Sequence, residues 1–123
     1  MTQPEEDHEA ALKAHLQAGQ HDAATTLALN MYGPELLGFL KSRLRQLDYA
    51  REAFAWLAED MWRGMPRFRG QSSIRTWAYA IARNAAYRYS DRELRERYRA
   101  VPISQVSRAS ALGVALPTGT NLD

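Results

Sequence analysis

Apolar residues return at helical spacing in four stretches of the chain, and nothing alternates with the two-residue period of a strand over a useful length. Residues 5–18 predict a short helix, with Leu12 and Leu16 on one face, acids in the first turn where they complement the helix dipole, and Gly19 as the stop. Asp22 offers a cap for a longer segment that carries Leu27 and Met31. That segment is expected to break at Gly33-Pro34 and to resume with Leu36, Leu37, Leu40, Leu44 and Leu47. From a cap at Asp48, Phe54, Leu57, Ala58, Met61, Trp62 and Met65 fall at offsets 0, 3, 4, 7, 8 and 11, and Pro66 ends the run. Ile74, Trp77, Ala78, Ile81, Ala82 and Ala85 repeat those offsets behind a cap at Ser72 or Ser73. The pattern implies an all-α fold: a compact bundle of three to four main helices around one core, spanning residues 1–100.

The pattern lapses near residue 98. The segment VPISQVSRASALGVALPTGTNLD holds two prolines and two glycines, with Arg108 and Asp123 as its only charges, and Ile103, Val106 and Leu112 make no sustained face. Residues 101–123 therefore read as a flexible linker, and a following domain is expected to be absent.

Composition removes several classes of function. The 123 residues include no cysteine, so a disulfide framework is excluded and the cytoplasm is the default compartment. The opening TQPEEDHEA lacks the basic start and apolar core of a signal peptide, and no apolar run approaches membrane-spanning length, so no membrane partner is expected. Glu5 and His8 make one Glu-x-x-His unit, whereas a di-iron bundle needs two of them plus two further glutamates. His8, His15 and His21 lack zinc-type spacing, and there is no phosphate-cradling glycine loop or nucleophile motif. The expectation is a protein with no catalytic residue, metal, cofactor or small-molecule substrate.

Charge is segregated along the chain. Residues 1–60 hold five Lys/Arg against ten Asp/Glu, while residues 61–108 hold eleven Arg against three acids. Arginine forks match phosphate geometry, so the second half suits an anionic partner; the alternative is a solvated face neutralised by acids of the same molecule. The loop Arg67–Gln71 introduces the last helix. At about 100° per residue that helix centres its core stripe on Ile74, Ala78, Ile81 and Ala85, with Thr76, Tyr79, Arg83 and Tyr87 opposite. Arginine beside exposed aromatics suits single-stranded nucleic acid, in which each stacked base contributes roughly 1–3 kcal/mol. The alternative is that the tyrosines pack on neighbours with only the hydroxyl exposed. Asn84 lies on the flank of this face, with an amide able to pair with a base edge.

The segment MPRFRGQSSIRTWAYAIARNAAYR resembles the signature of extracytoplasmic-function sigma factors, small promoter-specificity subunits of bacterial RNA polymerase. Weaker similarity runs back through YGPELLGFLKSRL and LKAHLQAGQHDAATTLALNMY, so residues 12–98 fit that family's first domain. The resemblance implies a domain that docks on the clamp helices of the polymerase core and melts the minus-ten promoter element, holding a flipped base of the non-template single strand. It assigns Phe68, Arg69, Gly70, Gln71 and Ser72 to the base-capturing loop, Asn84 to the side of the captured base, and Arg75, Thr76 and Arg83 to the strand. Free amides at the helix start would attract a phosphate or a base acceptor. Trp77 is either a wedge at the duplex fork or a core residue.

Two departures from the family pattern stand out. The Gln-Glu pair expected on the third helix falls on Ala55 and Trp56, which implies a divergent polymerase interface made by Glu52, Trp56, Glu59 and Asp60. Trp56 itself lies about 200° from Phe54, either exposed to a partner or lying over the first helix. The residues after 100 are not expected to form the helix-turn-helix domain for the minus-thirty-five element that the resemblance implies, so the chain reads as a fragment ending in the interdomain linker, which the linker composition favours, or as a one-domain variant. The rival expectation is a sigma-like module that binds a protein, the polymerase or an anti-sigma factor, without opening DNA.

Overall fold

The computed structural model describes residues 4–99, and these form four α-helices with no strand among the described residues. The order is α1 (Pro4–Gln17), α2 (His21–Leu44), α3 (Leu47–Gly64), a single 3-10 turn (Met65–Arg67) and α4 (Ile74–Arg99). The expected all-α bundle is what forms. Helices α2, α3 and α4 pack mutually, α1 lies mainly on α2, and α1 touches α4 only lightly. The expected linker at 101–123 lies outside the described residues.

The core is built from unequal contributions. Helix α2 supplies the bulk, with Tyr32, Leu36 and Leu40 buried, while the buried faces of α3 and α4 are rich in alanine, with Ala50, Ala53, Ala78, Ala82, Ala85 and Ala86. Methyl side chains let helix backbones approach closely, and Leu57, Met61, Met65 and Ile74 are buried with them. Thr25 is the one polar residue among the described buried set, and its hydroxyl donates to the His21 carbonyl at 2.9 Å, within its own helix.

Several expectations from the sequence are corrected. Helix α2 runs through Gly33-Pro34 without a break. A residue before proline resists the helical conformation because its Cβ meets the proline ring, and Gly33 has no Cβ. Pro34 itself is exposed, so the carbonyl of Asn30 left without its donor faces water. Neither Asp22 nor Asp48 is a cap: Gln20 and Gln46 occupy those positions without a side-chain bond, and the two acids sit in the first turns of α2 and α3. Leu47 opens α3 instead of closing α2, since Arg45 ends α2 in the left-handed conformation at φ 70° and donates its amide to Lys41.

The buried stripe of α3 is also rotated from the expected one. Ala50, Ala53, Leu57 and Met61 are inside, Phe54 and Ala58 flank them, and Trp62 is 41% exposed. The sequence template admits both stripes. The alanine-bearing one faces the core, where small side chains suit close-packed helices better than the Trp62 indole would.

A proline in a helix interior costs up to about 3 kcal/mol, of which its stiffening of the unfolded chain returns part. Pro34→Ala should therefore raise stability by about 1–2 kcal/mol, moving Tm upward by about 4–8 °C per kcal/mol. Thermal unfolding followed by circular dichroism checks this; an unchanged or lower Tm would mean that the helix gains from the ring at that site.

Candidate nucleic-acid interface

The loop between the 3-10 turn and α4 is fixed at both ends by different means. Its entry is held by buried Met65, whose carbonyl accepts the Phe68 amide at 3.1 Å. The Phe68 ring then lies against Trp77, with centroids 5.3 Å apart. Trp77 in turn leans over Gly64, where a Cβ would come within 2.9 Å of the indole. Trp77 is thus half-buried packing for the loop, in line with the core alternative. Gly70 turns the chain at φ 75°, a region that only glycine enters without cost, and Arg69 donates its amide to the Gln71 side chain at 3.0 Å.

The exit is held by α1. Glu9 accepts the amides of Ile74 at 2.8 Å and Arg75 at 3.1 Å, the first two donors of α4, and also accepts the buried Tyr32 hydroxyl. Ser73 is the cap: its Oγ accepts the Thr76 amide at 3.0 Å and its carbonyl the Trp77 amide at 3.0 Å. No free amide is left at this helix start, which corrects the expectation that it would attract a phosphate. Burial, then the bond to Glu9, pushes the Tyr32 phenol well above its ordinary range.

A second carboxylate organises the flank. Glu35 accepts Arg75 in an ion pair of 2.7 Å and the Tyr79 hydroxyl at 2.9 Å. Tyr79 stands edge-on to Phe39 at 5.4 Å, with the Arg75 guanidinium 5.1 Å from its own ring. Tyr79 is therefore committed to packing and is not an open stacking platform. Burial raises the Glu35 carboxyl, but the bonds from Arg75 and Tyr79 outweigh it and hold the group below its ordinary range.

Most of the segregated arginine charge is spent inside the molecule. Arg88 pairs with Asp60 at 2.7 Å, Arg92 with Glu52 at 3.2 Å, Arg95 with Asp91 at 3.0 Å and Arg63 with Glu59 at 3.1 Å. Among the described residues from 61 onward, Arg67, Arg69, Arg83 and Arg97 have no carboxylate partner. Two of these flank or occupy the loop, and Arg83 stands exposed on α4 beside exposed Asn84. Phe68, Arg69, Gly70 and Ser72 line a cleft of about 580 Å³ whose other wall is α1, with Glu9 and Lys13. Gln71 and Thr76 are exposed nearby, whereas Arg83 and Asn84 do not line the cleft. Asn84 is about 15 Å up the helix from Ile74 at 1.5 Å per residue.

The four residues expected to meet polymerase share the α3–α4 side. Glu52, Glu59 and Asp60 are ion-paired as above. Trp56 is half-buried against Tyr89, 5.7 Å between centroids, with Arg88 and Arg92 over its ring at 5.4 and 5.0 Å. It covers α4, not α1, and the freely exposed indole of α3 is Trp62. Burial and then the bond to Glu52 push the Tyr89 phenol up to about 12.

The model of sigma-70 region 2 matches residues 28–96, more than half of the chain. The chain belongs to the sigma-70 region 2 family. Comparison with curated proteins and with solved structures returns no match. Sigma region 2 is a non-enzymatic module of transcription initiation that works with RNA polymerase and the minus-ten element. Among the described residues, no helix is long and apolar enough to cross a membrane, and no three metal-binding side chains gather. Sequence reasoning missed Glu9, Tyr32 and Glu35, because a contact across 65 residues leaves no local pattern.

Because its folded carboxyl lies below the ordinary value of 4.5, Glu35 contributes stability that is complete above that value and is lost as pH falls through the folded pKa. Glu35→Gln should flatten the acid limb of the stability curve below about pH 4.5 relative to the parent. Urea unfolding at a series of pH values reads this directly, and parallel curves for the two proteins would remove Glu35 from the acid response. A second expectation concerns Trp56. Stripping the indole from beneath two arginines should cost about 1–3 kcal/mol, so Trp56→Ala should lower Tm measurably; an unchanged Tm would show that the ring carries none of the α3–α4 packing.

Proposed function

We propose that this domain is the polymerase-docking and minus-ten-binding part of a small alternative sigma factor of the extracytoplasmic-function type, acting in the bacterial cytoplasm. The observation that carries the reading is the coincidence, on a region 2 scaffold, of the RFRG loop with the arginines left unpaired around it. Arg67, Arg69 and Arg83 are free for phosphates, and Gln71, Ser72 and Asn84 offer polar groups to base edges. Phe68, braced by Trp77, supplies an aromatic edge where a flipped base would leave the stack. In this reading Gly70 allows the strand close to the backbone, Thr76 borders it, and Arg75 and Trp77 act through the packing they support. Melting would follow from capture: a base held outside the duplex is withdrawn from pairing, which favours the open strand.

Docking on the clamp helices is assigned to α3. Its candidate members Glu52 and Glu59 are exposed although paired and Asp60 is half-buried, with Trp56 between them. The exposed indole of Trp62 favours a second reading, a sigma-like module bound by a protein such as an anti-sigma factor without opening DNA. DNA binding by the full chain separates the two.

Binding of single-stranded minus-ten-like oligonucleotides, varied one base at a time, tests the first reading. Asn84→Ala should lose discrimination at one position by roughly 1–3 kcal/mol with Tm nearly unchanged. Arg83→Glu should weaken binding to every sequence alike, since a phosphate contact carries no base information. Uniform affinity of the parent for all variants would discard promoter recognition and leave the protein-binding module.

A further inference from the structure

Among the described residues, Glu9 is the α1 side chain that hydrogen-bonds the end of the base-reading loop, and it lies outside the segment that matches the family model. Its carboxylate gathers donors from two other helices: the first two amides of α4 and the hydroxyl of Tyr32 on α2. We propose that Glu9 is a positioning residue for promoter recognition, fixing the C-terminal end of the 68–73 loop in the shape that receives the strand. The inference rests on the promoter reading above and adds to it a residue of α1 that touches no DNA.

The argument follows from how little else holds the loop. Between Phe68 and Ser73 the hydrogen bonds are short-range: Phe68 to Met65, Arg69 to Gln71, Ser72 to the Ser73 carbonyl, and the Ser73 cap on Thr76. Apart from the Ser73 cap, which joins the loop to α4, none reaches another helix. Entry is secured by Met65 in the core, and the side chain that anchors the exit from outside is Glu9. A carboxylate at a helix N-terminus meets the unbonded amides and the positive end of the dipole together. Tyr32, buried and donating, fixes the carboxylate from behind and is itself held by the core. Without Glu9 two orphan amides must turn to water, the first turn of α4 frays, and Ser72 and Ser73 lose their fixed place. A loop that has to be ordered during binding gives up affinity and selectivity to the entropy of ordering.

Two other roles predict different results. A purely structural Glu9 would lower Tm and leave the folded protein's DNA binding intact. A gating Glu9, repelling phosphates beside the loop, would give tighter binding once neutralised. The test uses the full chain, at a temperature well below every variant's Tm, with Glu9→Gln, Glu9→Ala, Tyr32→Phe and, as a control destabilised elsewhere, Ala53→Gly. The probe is a labelled single-stranded minus-ten-like oligonucleotide and its single-base variants. Glu9→Gln and Glu9→Ala should lose about 3- to 30-fold in affinity for the preferred sequence and show a flattened base preference. Amide exchange at Ile74 and Arg75 should quicken selectively. Tyr32→Phe should move in the same direction by less, and Ala53→Gly should bind as the parent does. If Glu9→Ala does not fold, Glu9→Gln and Tyr32→Phe decide. Folded Glu9 variants that bind with parental or greater affinity overturn the proposal while leaving promoter recognition standing. A parent without base preference overturns promoter recognition, and this inference falls with it.

Discussion

The rest of the molecule is arranged around the alanine-rich buried faces of α3 and α4. Methyl groups at Ala50, Ala53, Ala78, Ala82, Ala85 and Ala86 let these faces pack closely, and rings of the two helices meet beside them. At one border Trp56 and Tyr89 meet under Arg88 and Arg92; at the other Trp77 slides over Gly64 and braces Phe68. The loop is carried on that second border.

The same geometry sorts the charges. Arginines that rise from α4 toward α3 find carboxylates at pairing distance and become part of the fold, as Arg88 does with Asp60 and Arg92 with Glu52. Exposed pairs of this kind are individually weak, contributing about 0–1 kcal/mol each, but they remove charge from the surface offered to a polyanion. What is left over among the described residues is Arg67, Arg69, Arg83 and Arg97, the first two at the loop. Net charge in the second half therefore overstates the basic surface, and the distribution of unpaired arginines describes it better.

Helix number and type were legible in the sequence because 3.6-residue periodicity is a local property. Phase was less so. In α3 two stripes satisfy the same offsets, and only the partner helix selects the alanine one, which is why Trp62 was expected inside and stands outside. The break expected at Pro34 failed for a local reason that was also readable, since the residue before it is glycine. For the site, the RFRG loop and the exposed Asn84 could be marked from sequence. The spent state of Arg75, Tyr79 and the helix-start amides could not, because it depends on Glu35 and Glu9, acids with no motif around them.

Those two acids belong to different helices and act on the same turn of α4. Glu35 holds the Arg75 guanidinium from α2, and Glu9 holds the Arg75 amide from α1, so one residue is fixed by backbone and side chain at once. A helix end constrained in that way keeps its direction, and α4 carries Thr76, Arg83 and Asn84 along that direction at a fixed rise. The spacing between the loop and Asn84 is then a rigid quantity set by acids that lie away from both. A scaffold of this kind separates two tasks: carboxylates that would repel a nucleic acid are used up in holding the helix, and the cations that would attract one are left free beside the loop.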